Sequence, residues 1–241
     1  MNKIKKIPYG ISDFERIQKE NFYYVDKTQF IERIEQSPEY LFLIRPRRFG
    51  KSLFTSVIES YYDIAKSDIF EQVYGNTYIG KHPTGKQNSY LILRFNFSEV
   101  NPDIDKVEAS FEEHCEACFY LFHQKYAKYF DDYYFDTLKQ KTNSYSRLEH
   151  LTKASTLFKL NLYIIIDEYD NFANTILSKP STGTTDYQKL TKGDSAFRHF
   201  FNKLKGGTSG SGAPVSRLFF EPTFMHIIAD GKGLRCLTMI I

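Results

Sequence analysis

Two short strings carry residue types able to act together on a phosphate. The first is Arg45-Pro46-Arg47-Arg48-Phe49-Gly50-Lys51-Ser52-Leu53, and the second is Asp167-Glu168. A helix opening at Gly50 would offer unpaired backbone N–H groups and the positive end of its dipole, both of which suit phosphate oxygens. Gly50 would let the backbone come close to a phosphate with no side chain in the way. Lys51 could reach the terminal phosphates as a point charge, and the Ser52 hydroxyl could sit on Mg2+. Asp167 would support the same metal through water, while Glu168 would orient or deprotonate an attacking water. Each string has a plainer reading. Gly-Lys-Ser arises by chance in unrelated chains, strands often end in solvent-facing acids, and Arg45 stands where the wider phosphate-loop pattern has its first Gly. Structural context separates the two readings.

The chemistry requires a strand, a short loop and a helix in that order, with the acids at the end of another parallel strand. The run Tyr40 to Ile44 precedes the loop, and Leu162 to Ile166 ends at Asp167. With Tyr90 to Phe97, these nearly continuous apolar runs read as strands buried on both faces. Arg217 to Phe220 is a fourth candidate and Leu234 to Ile241 a weaker fifth. After the loop, Leu53, Val57, Tyr61 and Ile64 recur at helical spacing. A longer helical stripe runs through Ile104, Val107, Phe111, Cys115, Cys118, Phe122, Tyr126 and Tyr129. A third joins Phe197, Phe200, Phe201 and Leu204, with Asp194 or Ser195 as N-cap and Gly206 just past the end. Strands alternating with helices predict an α/β fold with a mainly parallel sheet. Ser178 to Gly193 and Gly206 to Pro214 read as loops, and neither marks a domain boundary, so residues 1–241 read as one domain.

Composition narrows the function. The 32 Lys+Arg against 29 Asp+Glu leave a formal charge of +3, which excludes a chain basic throughout and confines any nucleic-acid contact to a local patch. At 41% hydrophobic residues the chain can bury a full core. The 22 Phe and 18 Tyr, with no Trp, predict ring packing inside it. The start leads into Ile7-Pro8-Tyr9-Gly10 instead of a long apolar stretch, and no run approaches the roughly 20 apolar residues of a membrane span, so a cytoplasmic location is expected.

Three cysteines, Cys115, Cys118 and Cys236, are too few for a disulfide framework. Cys115 and Cys118 form a Cys-x-x-Cys, but a structural zinc site needs four ligands and both lie on the apolar stripe, so core packing is expected. Arg45, Arg47, Arg48 and Lys51 form the densest basic cluster, which suits nucleotide charge or, alternatively, a nucleic-acid backbone. Arg198 and Arg217 could serve as an arginine finger or simply face solvent.

The string Arg45 to Leu53 resembles the phosphate loop of the prokaryotic AAA-ATPase-like family. So do Ile7-Pro8-Tyr9-Gly10, Tyr24-Val25-Asp26-Lys27-Thr28, Arg94-Phe95-Asn96-Phe97-Ser98 and Ile166-Asp167-Glu168-Tyr169-Asp170. An Arg at the position of Arg45 is common in that family. The resemblance covers about residues 4 to 220. It implies a three-layer P-loop ATPase fold with strand order 5-1-4-3-2, a lead-in segment over 1–39, and ATP with Mg2+ as ligands. It implies Lys51 and Glu168 as catalytic residues, Ser52 and Asp167 as metal supports, and the 45–53 string as the nucleotide cradle. Such proteins usually continue into a nuclease-like domain, and the fourth strand usually runs into a Thr-Gly-Val-Ser-Pro type segment. Here Phe220-Glu221-Pro222-Thr223-Phe224 stands instead, so 221–241 reads as a divergent end arising from truncation or a shifted frame. A sensor residue at that strand end is therefore not assigned. If Leu234 to Ile241 supplies no fifth strand, the first strand becomes an apolar edge and poor solubility is expected. Two functions follow: Mg-dependent ATP hydrolysis, or a non-hydrolysing, nucleotide-dependent interaction module from a larger nuclease-associated protein. Partners implied are a nucleotide, a protein partner or a second copy of the chain, nucleic acid only indirectly, and no membrane.

Overall fold

Apolar runs too short for helices pair side by side. In the computed structural model, which describes residues 4–38, 40–43, 48–168, 175–177, 183–192, 195–207 and 215–221, they form one sheet. Strands β1 (Tyr40–Phe42), β2 (Leu91–Asn96), β3 (Leu162–Asp167) and β4 (Val215–Glu221) stand in the order β1-β4-β3-β2. The three pairings among them are parallel. Leu41 lies opposite Phe219, Ile164 opposite Leu218, and Arg94 opposite Ile165. The expected strand Tyr90 to Phe97 is trimmed at each end, Phe97 opening a 3-10 turn through Glu99. A strand at Leu234 to Ile241 falls outside the described residues, so the fifth position of the expected order is open.

Every residue of β3 is buried, because helices cover both faces of the sheet. The two faces alternate along the strand. Leu162, Ile164 and Ile166 join one core cluster, while Tyr163 and Ile165 join the other.

The first face is covered by α6 (Val107–Tyr126), α8 (Ser144–Leu157) and α10 (Ala196–Gly207), with α7 (Asp132–Leu138) packed on α8. Its core is largely phenylalanine: Phe95 meets Phe119 edge-on at 5.8 Å and Phe200 at 5.2 Å. Phenylalanine rings carry large apolar area with no polar atom to satisfy, so these contacts are set by shape. The stripe expected on α6 buries Val107, Phe111, Cys115, Phe122 and Tyr126, and adds Phe119, which the three-and-four count skipped. Ser195 caps α10, its hydroxyl accepting from the Arg198 N–H at 3.2 Å. Gly206 lies within the last turn of α10 instead of beyond it.

One loop expectation is overturned. Residues 183–192 of the Ser178 to Gly193 stretch form a helix, α9 (Gly183–Lys192), packed beside α10. Ser, Thr and Gly are modest helix formers, but tertiary packing outweighs propensities of under about 1 kcal/mol per residue.

The opposite face is covered by α3 (Lys51–Tyr62), on which α1 (Phe14–Lys19) rests, with α2 (Phe30–Gln36) in the same cluster. Phe14 donates its N–H to Ser56 Oγ at 3.0 Å, and Ser60 Oγ donates to Glu15 at 3.2 Å. The lead-in segment is therefore built into the domain. Ile64, expected on the α3 stripe, lies past its end, where Asp63 turns the chain into a 3-10 segment through Ile69. The string Tyr24 to Thr28 has a structural use here. Asp26 Oδ2 accepts from the Tyr78 N–H at 2.6 Å, and Thr28 Oγ1 accepts from the Ile79 N–H at 3.1 Å. Those groups open α5 (Tyr78–Lys81), which follows α4 (Phe70–Tyr74), so two side chains supply what the helix start lacks. Gly80 passes so close that an added Cβ would sit 1.9 Å from the Tyr74 carbonyl oxygen, which excludes any larger residue without backbone movement.

Candidate functional site

The C-terminal edge of the parallel sheet gathers most of the singled-out residues. β1 leads toward the loop, and α3 opens at Lys51 with Gly50 as its N-cap. Gly50 is left-handed, at φ 77°, which suits a residue without Cβ, and its carbonyl accepts from the Phe54 N–H at 3.0 Å. Arg48 is also left-handed, at φ 68°, and Phe49 between them is 66% exposed. Among the described residues nothing lies within 4 Å of a Cβ placed on Gly50. The first N–H groups of the 12-residue α3 have no acceptor within the helix. Lys51 is buried to 7%, Ser52 is exposed, and Leu53 packs against the α3-side core. Arg45, Pro46 and Arg47 lie outside the described residues.

Asp167 ends β3, 6% exposed, opposite Asn96 on β2 and Glu221 on β4. By strand alternation it shares the α3 side with Tyr163 and Ile165. β1 and β3 are parallel with β4 between them, so the end of β1 and Asp167 lie on one edge, two strand spacings or about 10 Å apart. Glu168 follows at once, half-buried and left-handed at φ 53°. An L-residue held there is strained by about 1 kcal/mol.

Two further residues complete the edge. Arg94 on β2 donates from Nη2 to Asp167 Oδ2 and from Nη1 to Glu59 Oε2, both at 3.1 Å. Glu59 sits on α3, eight residues or about 12 Å of axis from Lys51. Burial opposes the guanidinium charge, but the two carboxylates outweigh it and hold the Arg94 pKa above its ordinary value. Arg94 is therefore a fixed cation. Reading the motifs missed both residues as parts of the site. The available signal was a lone arginine inside the apolar run Tyr90 to Phe97.

The other candidates separate cleanly. Cys115 is fully buried, and burial pushes its thiol pKa well up. Burial also pushes Cys118 up to about 12. His114 Nε2 lies 3.4 Å from Cys118 Sγ, and its other ring nitrogen lies 3.4 Å from Glu99. Burial pulls its pKa below the ordinary histidine range. Thiols held neutral are poor nucleophiles and poor metal ligands. Among the described residues no three His, Cys, Asp or Glu side chains cluster as a metal site. Arg198 is exposed on α10, on the sheet face away from α3. The side chain of Arg217 lies outside the described ones.

The family model described as "Predicted AAA-ATPase" matches residues 8–219. The chain belongs to that family. An uncharacterized protein in the vnfD 5' region of Azotobacter chroococcum mcd 1 is 54% identical over 56 residues, which are 22% of this chain and 11% of that protein. The chain thus matches a small part of that relative's length. No solved structure matches the chain. Membership supports ATP binding and metal use in general. No helix among the described residues is long and apolar enough to cross a membrane.

Proposed function

We propose that the chain is an ATP-binding domain of the P-loop ATPase type that hydrolyses ATP with Mg2+. The observation that carries this reading is the shared sheet edge. β1, which precedes the helix start at Gly50 and Lys51, runs parallel to β3, which ends at the buried Asp167, in a chain of an AAA-ATPase-like family. The residues fit the ligands chemically. Gly50 brings no side chain to a helix N-terminus, which suits close approach of a polyphosphate, and Ser52 and Asp167 offer the oxygen atoms that magnesium prefers.

In this reading Lys51 pairs with the terminal phosphates, and the backbone of Arg45, Pro46, Arg47, Arg48, Phe49, Gly50 and Leu53 shapes the cradle. Ser52 would hold Mg2+ directly and Asp167 through water. The metal supplies neutralisation of charge on the transferred phosphoryl oxygens. Glu168 orients a water and takes its proton. A five-stranded sheet in the order 5-1-4-3-2 belongs to the same proposal, as does a cytoplasmic setting. A protein partner or a second copy would complete the site with an arginine.

Binding and turnover on the wild type, Lys51→Ala and Glu168→Gln test it. Lys51→Ala is expected to weaken ATP binding at least about 100-fold, and Glu168→Gln to keep binding while losing turnover by about the same factor. Equal binding by the wild type and Lys51→Ala removes the proposal. Binding by the wild type with no turnover under any condition leaves the interaction module instead.

A further inference from the structure

The fork of Arg94 shapes the metal side of the edge. Glu59 and Asp167 come from different elements, α3 and β3, yet the same guanidinium binds one oxygen of each at 3.1 Å. Their side chains are poorly exposed, 21% for Glu59 and 8% for Asp167. Two sheltered carboxylates brought together without a counterion would make an oxygen-rich site of the kind that hard divalent cations occupy. An arginine cannot lose its charge at any physiological pH, and its planar fork satisfies both acids in one geometry.

We propose that Arg94 is the positioning residue of the metal side: it supplies the cation that Glu59 and Asp167 require, and so withholds Asp167 from a divalent metal until ATP phosphates bring one. This rests on the ATP-binding reading above. With Oδ2 of Asp167 committed to Arg94, that carboxylate meets a hydrated metal through its other oxygen alone, which favours contact through water over chelation. The link to Glu59 also fixes Asp167 to α3, the helix whose start forms the cradle.

The consequence is unusual for an arginine substitution, because loss of the side chain is expected to strengthen metal binding and weaken catalysis together. Mn2+ binding without nucleotide, followed by electron paramagnetic resonance, reads the first. Arg94→Ala is expected to bind Mn2+ at least 10-fold more tightly than the wild type, and Arg94→Lys, which keeps the charge, to stay within about 3-fold of it. ATP turnover at saturating Mg2+ reads the second: kcat falls about 10-fold in Arg94→Ala while KM moves less than 3-fold. If Arg94→Ala does not fold, Arg94→Gln keeps hydrogen-bond donors without charge and is expected to tighten Mn2+ binding in the same way. A folded Arg94→Ala or Arg94→Gln that binds Mn2+ no better than the wild type, with ATP binding intact, overturns the inference alone. Failure of the wild type to bind ATP in equilibrium dialysis overturns the reading beneath it. A purely structural ion pair would lower thermal stability and leave Mn2+ affinity unchanged.

Discussion

Asp63 and Asp167 are both buried aspartates next to the same sheet, and they lie at opposite ends of it. Asp63 is fully buried at the end where β2 begins, its backbone bridged to Tyr90. Its Oδ1 accepts from the Tyr126 hydroxyl and the Ala65 N–H, both at 2.8 Å, and its Oδ2 pairs with the Lys125 ammonium. The Tyr126 hydroxyl also accepts from the Ile92 N–H at 3.1 Å, so one carboxylate joins α3, α6 and β2. Asp167 lies at the end where the strands finish, with one oxygen bound by a guanidinium shared with Glu59. The first acid is tied by three partners drawn from one helix, one backbone turn and one lysine. Among the described residues the second is tied by one cation, which it shares with Glu59. Burial therefore does not separate an acid closed inside the fold from one proposed to meet a ligand; the number of its own hydrogen-bond partners does.

Substitutions at the two ends test that distinction. Asp63→Ala removes an ion pair, a helix-opening cap and the acceptor of a buried hydroxyl. It is expected to cost about 3 kcal/mol or more in urea unfolding, while ATP affinity of the folded protein stays within 3-fold. A loss under about 1 kcal/mol would erase the contrast, since exposed pairs are worth no more than that.

Titration offers a second probe away from the candidate site. His123 on α6 is 8% exposed, with Nε2 2.6 Å from the Tyr134 hydroxyl. Burial pulls its pKa from 6.5 down to about 4, with the charges of Arg147 and His150 acting the same way and the Phe119 carbonyl opposing. The unfolded chain then binds the extra proton first, so this stability is complete above about pH 6.5 and is lost as pH falls toward 4. The wild type should lose on the order of 2–3 kcal/mol more than His123→Gln across that window, measured by urea midpoints at each pH. Parallel curves for the two proteins would show that the imidazole stays accessible to protons.

Tyr126→Phe leaves Asp63 with one hydrogen bond fewer and the Ile92 N–H without its hydroxyl acceptor, and is expected to cost about 1–2 kcal/mol with no change in nucleotide binding. The smallest stability effect belongs to Asp167→Asn, within about 1 kcal/mol, because Arg94 keeps Glu59 as a partner. Its effect should appear elsewhere: thermal stabilisation by ATP with Mg2+ should drop to the level seen with ATP and EDTA. A large loss of stability in Asp167→Asn with ligand stabilisation intact would place it in the same class as Asp63.

Much of the framework was legible in the chain. The run Leu162 to Ile166 announced β3 because a strand covered on both faces can hold only apolar side chains. Gly50-Lys51 announced the start of α3, where Gly50 takes a left-handed conformation that a residue without Cβ adopts freely. The stripe of α6 was visible except for Phe119 and His123, with Cys118 only partly buried, because a helix wedged between the sheet and two other helices buries more than a single stripe. The helix α9 was hidden by Ser, Thr and Gly, since its stability comes from packing on α10.

What the amino-acid order determined by itself was local: which segments form strands, which helix opens at Gly50, and which acid ends β3. Those follow from periodicity and from the conformations Gly and apolar residues allow, both of which act within a few residues. The tertiary structure alone decided that Arg94, Glu59 and Asp167 meet, although 35 and 73 residues separate the arginine from its two partners. It alone decided that Asp63 is closed off by Tyr126 from 63 residues away. Distant residues meet only when strand order and helix packing bring their elements together, and the charge on a side chain does not encode which opposite charge the fold will place beside it.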